Sequence, residues 1–191
     1  MSINELTHIS AIANFFHDQR YTDWFTTQGK REANKKIKEA MNQGTAVDLA
    51  IQALATQRVL GLPEPKKFKD EIASACKAWQ TFIGTYEHDI TGTQKEMVNE
   101  EQSLSGTFDF EFNGDEICDL KYATAIRPSY WVQLGGYRYL AGQSHRKLSV
   151  LRIDKSSDMY EYVVREDVEY LTQVFISTLN LYRFWQKETQ Q

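Results

Sequence analysis

The sequence predicts a mixed α/β layer fold, because its apolar residues repeat with helical spacing, switch to alternation, and then switch back. The first ninety or so residues carry helical spacing. Between Leu104 and Tyr122 apolar and polar residues alternate, with Asn113-Gly114 as a turn signal in the middle. A helix, two further strands and a closing helix follow. Helices and strands in that order pack as layers around one sheet. A length of 191 residues favours a single domain over 1–191. Its first part, 1–90, is mainly helical, and 91–191 holds the sheet with its flanking helices.

Phe15, Phe16, Trp24 and Phe25 mark early helical stretches, and Ala46 to Leu60 reads as a longer helix preceded by Gly44-Thr45. Gly61-Leu62-Pro63-Glu64-Pro65 is a break. The next helix spans about Lys67 to His88, with Ile72, Ala75, Cys76, Trp79, Phe82 and Ile83 as its buried stripe. Strands are expected at Leu104–Phe112, Glu116–Tyr122, Lys147–Asp154 and Tyr160–Arg165. Pro128 opens a helix running to about Ala141, and Asp167 to Lys187 forms the last one, with Leu171, Phe175, Leu179 and Trp185 among its apolar markers.

Composition excludes several classes. A hydrophobic fraction of 41% and a charged fraction of 25% are ordinary for a globular protein, and no apolar run is long enough for a membrane helix. The beginning of the chain lacks the layout of an export signal. With Cys76 and Cys118 as the two cysteines, there is no disulfide framework and no four-cysteine site. A cytoplasmic, reducing compartment is the expectation. The four histidines show no metal-ligand spacing and most are expected at the surface, and the tryptophans are expected in the core. Trp131 is the best placed of them for base stacking. The net charge of −4 argues against strong non-specific nucleic-acid binding, although Lys30, Arg31, Lys35, Lys36, Lys38 and Lys66, Lys67, Lys69 form local basic clusters.

Chemistry concentrates in the hairpin. In a strand, residues i and i+2 share a face, so Asp119 and Lys121 project together. Asp109 joins them only if the turn holds an odd number of residues, for example Phe112-Asn113-Gly114. That choice also puts Phe108, Phe110 and Phe112 on one face with Cys118, Leu120 and Tyr122, as a dry sheet face requires. A bulged or three-residue hairpin with Gly114 left-handed is therefore expected. Two carboxylates beside a lysine suit a hard cation with open positions for water and phosphate oxygens, and equally a surface salt bridge. Gln133 and Tyr137, four apart, face the same way on the next helix. Gly135 and Gly136 each cost that helix roughly 1 kcal/mol relative to Ala, which suggests close approach of its backbone to the sheet or to a ligand.

Taken together, Gly106-Thr107-Phe108-Asp109, Asp119-Leu120-Lys121 and Gln133-Leu134-Gly135-Gly136-Tyr137 resemble the signature of the PD-(D/E)XK nuclease superfamily. The Gln and Tyr spaced by four resemble its RecB-like exonuclease branch. Gly44-Thr45-Ala46-Val47-Asp48 resembles that branch's Gly-Thr-x-x-His motif, and residues 8–24 are similar to the leading segment of phage and mitochondrial genome maintenance exonucleases. The resemblance covers roughly residues 7–142. It implies a restriction-endonuclease-like α-β-β-β-α-β core with a central mixed sheet, and Mg²⁺- or Mn²⁺-dependent hydrolysis of DNA by one or two metals. It implies Asp109, Asp119 and the Leu120 carbonyl as metal ligands, Lys121 as the catalytic lysine, and Gln133 and Tyr137 as DNA-contacting residues. Glu96 stands near an acidic position of relatives, with Glu100 and Glu101 close by. Asp48 replaces the family's histidine, so it is either an oxygen ligand or the mark of an altered second metal site. The implied setting is phage or bacterial DNA replication, recombination or repair, with other proteins of those processes as partners. The alternative is a catalytically inactive nucleic-acid-binding module on the same fold.

Overall fold

The computed structural model describes residues 6–15, 26–56 and 68–189. The break at 61–65 and the aromatic residues from 16 to 25 lie outside them. In chain order the elements are β1 (Thr7–His8), α1 (Ile9–Ala13), α2 (Lys30–Ala55), α3 (Lys69–Thr85), β2 (Ile90–Asn99), β3 (Leu104–Phe112), β4 (Glu116–Ala123), α4 (Pro128–Leu140), β5 (Lys147–Asp154), β6 (Tyr160–Arg165) and α5 (Val168–Thr189). A central mixed sheet is flanked by helices on both faces, as the sequence predicts.

Strand order places β4 at the centre of the sheet. It pairs in parallel with β5 along its whole length, from Glu116↔Lys147 to Ala123↔Asp154. The near-continuous burial of both strands follows from having helices on each face. The pairing of β6 with β5 is antiparallel. Strand β3 has β2 along one side, antiparallel from Leu104 to Phe112. A strand has only two edges, so β1 and β4 share the other. There β1 takes Leu104 and Ser105 in parallel, and β4 takes Phe110, Glu111 and Phe112. Between those two short pairings, β3 and β4 part.

Two cores lie on the two sheet faces. One holds Ile9, Ile12, Leu104, Phe108, Ile117, Leu134, Tyr137, Leu148, Val150, Leu171 and Phe175, beneath α1, α4 and α5. The other holds Val47, Ile51, Trp79, Phe82, Phe110, Phe112, Cys118, Leu120, Leu151 and Ile153, beneath α2 and α3. Phe108 therefore does not share a face with Phe110 and Phe112, contrary to the sequence expectation. Strand β3 changes face at Asp109. Opposite it Gln94 takes a left-handed φ of 46°, and the β2–β3 ladder runs Thr93↔Phe110 and Lys95↔Phe108 with the intervening pair skipped.

Three boundaries differ from the sequence reading. Helix α2 runs straight through Gly44-Thr45, with Thr45 Oγ1 donating to the Met41 carbonyl at 3.0 Å. The short β1 and the long β2 lack clean alternation and emerge only through pairing with β3. One burial expectation also fails: Trp185 is 50% exposed, while His145 is the buried one of the described histidines, 4% exposed with Nε2 2.8 Å from Glu111 Oε1.

The glycine pair serves helix packing rather than a ligand or the sheet. A Cβ on Gly135 would stand 2.3 Å from the Leu171 carbonyl oxygen of α5, and one on Gly136 would meet Ile9 and Phe175 at 2.6 and 2.7 Å. Arg138, one turn further on and 4% exposed, locks the same crossing. It donates to the His145 carbonyl, to Thr172 Oγ1 and to Glu169 Oε1. Because the obstruction at Gly135 is backbone, Gly135→Ala is expected to cost about 1–3 kcal/mol. At about 2–4 °C per kcal/mol for a chain of this size, thermal denaturation followed by circular dichroism will read this directly. An unchanged midpoint would contradict the close crossing.

Candidate active site

The site is built where β3 and β4 separate. The hairpin loop holds three residues, Asn113, Gly114 and Asp115, since Phe112 pairs with Glu116. The odd count is as expected, one residue later than Phe112-Asn113-Gly114. Both Asn113 (φ 54°) and Gly114 (φ 71°) are left-handed. Asn113 is held by exchange with Asp89: its N–H donates to the Asp89 carbonyl at 2.8 Å, and its Oδ1 accepts from the Asp89 N–H at 3.0 Å. This register carries Asp109 and Asp119 toward one another beyond the last paired residues, Phe110 and Cys118.

In the gap, the Asp109 side chain replaces the missing ladder bond. Its Oδ2 accepts from the Leu120 N–H at 2.7 Å and its Oδ1 from Gln94 Nε2 at 3.1 Å. The Lys121 ammonium stands 2.6 Å from Asp119 Oδ2 as a buried ion pair. It also lies 5.2 Å from the centre of the Tyr130 ring on α4. In an extended strand the N–H and C=O of one residue point to the same side, so the Leu120 carbonyl turns toward β3 as well.

Asp48 reaches this gap from α2, on the opposite face of the sheet from Tyr130. It acts electrostatically on Asp109, and Asp119 and Lys121 act on it. One turn along α2, Gln52 Nε2 donates to the Asp109 carbonyl at 3.4 Å. Gln133 and Tyr137 meet each other, Nε2 to Oη at 2.5 Å, and Tyr137 is buried close enough for Asp119 and Asp109 to raise its pKa beyond what burial does. Glu96 is exposed on β2 opposite Thr107. The sequence reading missed Gln94 and Gln52. Gln52 had a signal, being four residues after Asp48 on one helix. Gln94 had none, since its contact exists only through the β2–β3 register.

Electrostatically the site is strained toward neutrality. Burial first, and then the Asp119 charge, push Asp109 up to about 8. Burial also raises Asp119 and Asp48. For Lys121 burial works against the charged form, but Asp119 and Asp109 outweigh it and hold the ammonium above its ordinary value. Five buried side-chain oxygen or nitrogen atoms lack a hydrogen-bond partner among the described residues. Two of them, Asp48 Oδ1 and Gln52 Oε1, are here with no partner at all, and a third, Asp119 Oδ2, is met by the Lys121 ammonium alone. Orphaned oxygens of that kind are costly, and an oxygen-seeking divalent cation would satisfy them. Among the described residues no three acid, histidine or cysteine side chains are grouped so that together they could hold a metal ion. The donor set therefore fits an open site completed by a backbone carbonyl and by substrate.

These shifts fix a pH dependence. Asp109 has a folded pKa above its unfolded value of 3.8, so the folded state holds a proton the unfolded chain has lost. Its stabilisation is complete below pH 4 and disappears as pH rises through about 8. His88, shifted downward chiefly by burial, opposes this trend only up to its ordinary value of 6.5. Between pH 6.5 and 8, in EDTA, the unfolding free energy should fall by about 1–2 kcal/mol. Asp109→Asn should flatten that slope and stabilise the metal-free protein at pH 8. Urea unfolding at several pH values measures both, and a wild-type profile that rises over this window would refute the assignment.

No protein-family model and no curated protein matches this chain. Solved structures do. A candidate exonuclease from Eubacterium rectale superposes with a TM-score of 0.58 at 14% identity, covering 94% of this chain and 80% of that one. The alkaline exonuclease of Laribacter hongkongensis gives a TM-score of 0.47 at 11% identity, with 97% and 93% covered, and its complex with dAMP gives 0.46 at 11% identity, with 98% and 94% covered. At such identities what the Eubacterium rectale structure shares with this chain is the fold: a central mixed sheet flanked by helices.

Proposed function

We propose that this chain is a Mg²⁺- or Mn²⁺-dependent deoxyribonuclease that degrades DNA from an end. The observation that carries the reading is the convergence of Asp109, Asp119 and Lys121 in the gap between two parted strands. Asp109, Asp119, the Leu120 carbonyl and Asp48 would hold the cation, which when bound supplies Lewis acidity toward the phosphodiester and acidifies water. Asp109 is fixed at both oxygens by Leu120 and Gln94, so it presents its carboxylate without swinging. Lys121, kept protonated by the acids and steadied over Tyr130, is placed to donate to phosphoryl oxygens as negative charge grows there. The attacking water would lose a proton to solvent as its oxygen bonds to phosphorus, the ester P–O bond would break, and the leaving alkoxide would take a proton from solvent. Gln133 and Tyr137 form the wall beside the acids, with half-exposed Gln133 available to the DNA.

DNA as substrate, and attack from an end, rest on the motif resemblance together with the exonuclease description of the Eubacterium rectale protein that shares this fold. The same resemblance supports a role in phage or bacterial DNA replication, recombination or repair. A second reading has two observations in its favour. Asp48 stands where the resembled motif has histidine, and the net charge is −4; on that reading the chain would be a silent DNA-binding module, which predicts binding without turnover.

Cleavage of labelled DNA separates the two. With Mn²⁺ or Mg²⁺ the protein should degrade linear duplex and leave closed circular duplex intact. Asp119→Ala and Lys121→Ala should each lower the rate by about 10³ or more, as loss of a main charge-stabilising group does, with unchanged circular dichroism. Asp48→Ala should raise the Mn²⁺ concentration needed for half-maximal rate by about tenfold. Undiminished cutting by both of the first two variants would remove the site.

A further inference from the structure

Helix α2 is 26 residues long, about 39 Å, and the residues it buries beneath the sheet lie in its C-terminal half. Val47 and Ile51 are buried in the core beneath the sheet. From Lys30 to Asn42, by contrast, Ala33 is buried, Ile37 is half-buried, and every other residue is exposed. The projecting half is also the most basic stretch of an acidic protein. Residues 30–38 hold five cations, Lys30, Arg31, Lys35, Lys36 and Lys38, against the single acid Glu32. None of the five forms an ion pair among the described residues, and Lys36 donates to Gln28 Oε1 at 2.5 Å.

The cations are also arranged. At about 100° per residue, Lys30 lies about five whole turns before Asp48 and points in the same direction. Lys38, Arg31 and Lys35 follow at about 80°, 100° and 140° around the axis, on the flank where Gln52 also lies. Glu32 and Glu39 sit beyond them at about 180–200°, and Lys36 at about 240°. Four cations, interrupted by no acid, therefore lie on the flank of α2 that delivers Asp48 to the site. They lie about 15 to 27 Å from Asp48 along the axis, at 1.5 Å per residue.

We infer that the projecting half of α2 is an arm that grips the phosphate backbone of duplex DNA ahead of the site. This rests on the nuclease reading and adds where the substrate runs. With a rise of about 3.4 Å per base pair, these cations meet phosphates about four to eight base pairs from the bond being cut. A stiff duplex holds that distance, whereas a single strand does not.

The test pairs the two charges. In EDTA, so that nothing is cut, fluorescence anisotropy measures binding of a 24-base-pair blunt duplex to the full chain. A second duplex carries neutral methylphosphonate linkages between base pairs 4 and 8 from each end. The quadruple variant K30Q/R31Q/K35Q/K38Q keeps helix-forming residues, and its fold is checked by circular dichroism. It should bind the normal duplex about tenfold or more weakly at 0.1 M salt, and the slope of log K against log salt should shrink by about 3–4, at roughly 0.9 per phosphate contact. The methylphosphonates should weaken wild type similarly and the variant hardly at all, while Lys36→Gln stays within about twofold of wild type. Equal sensitivity of variant and wild type to the methylphosphonates overturns the arm and leaves the nuclease reading standing. So does a loss confined to a single-stranded 24-mer. Wild-type protein that binds neither duplex, and cuts none when Mn²⁺ is restored, overturns both.

Discussion

The parting of β3 from β4 after the Phe110–Cys118 pair is the constraint on which the rest of the molecule depends. A sheet that kept these strands zipped would bury the edge of each in hydrogen bonds and leave no room between them. Because β1 and β4 divide one edge of β3, that edge is open from Gly106 to Asp109, and a side-chain carboxylate bridges the gap by accepting the Leu120 N–H. The same gap lets groups from both faces of the sheet approach one another. Asp48 comes from α2 on one face, and Tyr130 and Tyr137 come from α4 on the other.

Gathering acids in a buried gap costs stability, and the directions of their pKa shifts record that cost. Asp109, Asp119 and Asp48 are all raised, with burial as the leading cause. Lys121 answers part of the charge. The surrounding framework tolerates the rest because it is packed tightly elsewhere. The parallel β4–β5 ladder runs unbroken behind Asp119 and Lys121, and the hairpin's own Phe110 stacks on Phe112 and on Trp79 of α3. Shifted groups held on rigid strands support the catalytic role proposed for them above.

Helix α4 links the site to the remainder of the fold. Its Gly135-Gly136 pair lets α5 and α1 approach to backbone contact, and Arg138 fastens that crossing with three donated hydrogen bonds. With its position fixed so firmly, the same helix can hold Tyr130 over Lys121 and the Gln133–Tyr137 pair beside the acids. Packing on one side of α4 thus sets the precision of the other.

The sequence by itself determined the layer class, the four strands of the hairpin and of the β5–β6 pair, and the grouping of Asp109 with Asp119 and Lys121. Each is a local matter: a period of two or 3.6, a turn residue able to take a left-handed φ, a loop of odd length. Tertiary structure alone decided the change of face at Asp109, which placed Phe108 in the opposite core from Phe110 and Phe112. It alone recruited Gln94, and it gave Gly135 and Gly136 to helix packing. These depend on which strand borders which, and on backbones meeting across the fold. No periodicity records that information, because the partner residues lie far apart along the chain.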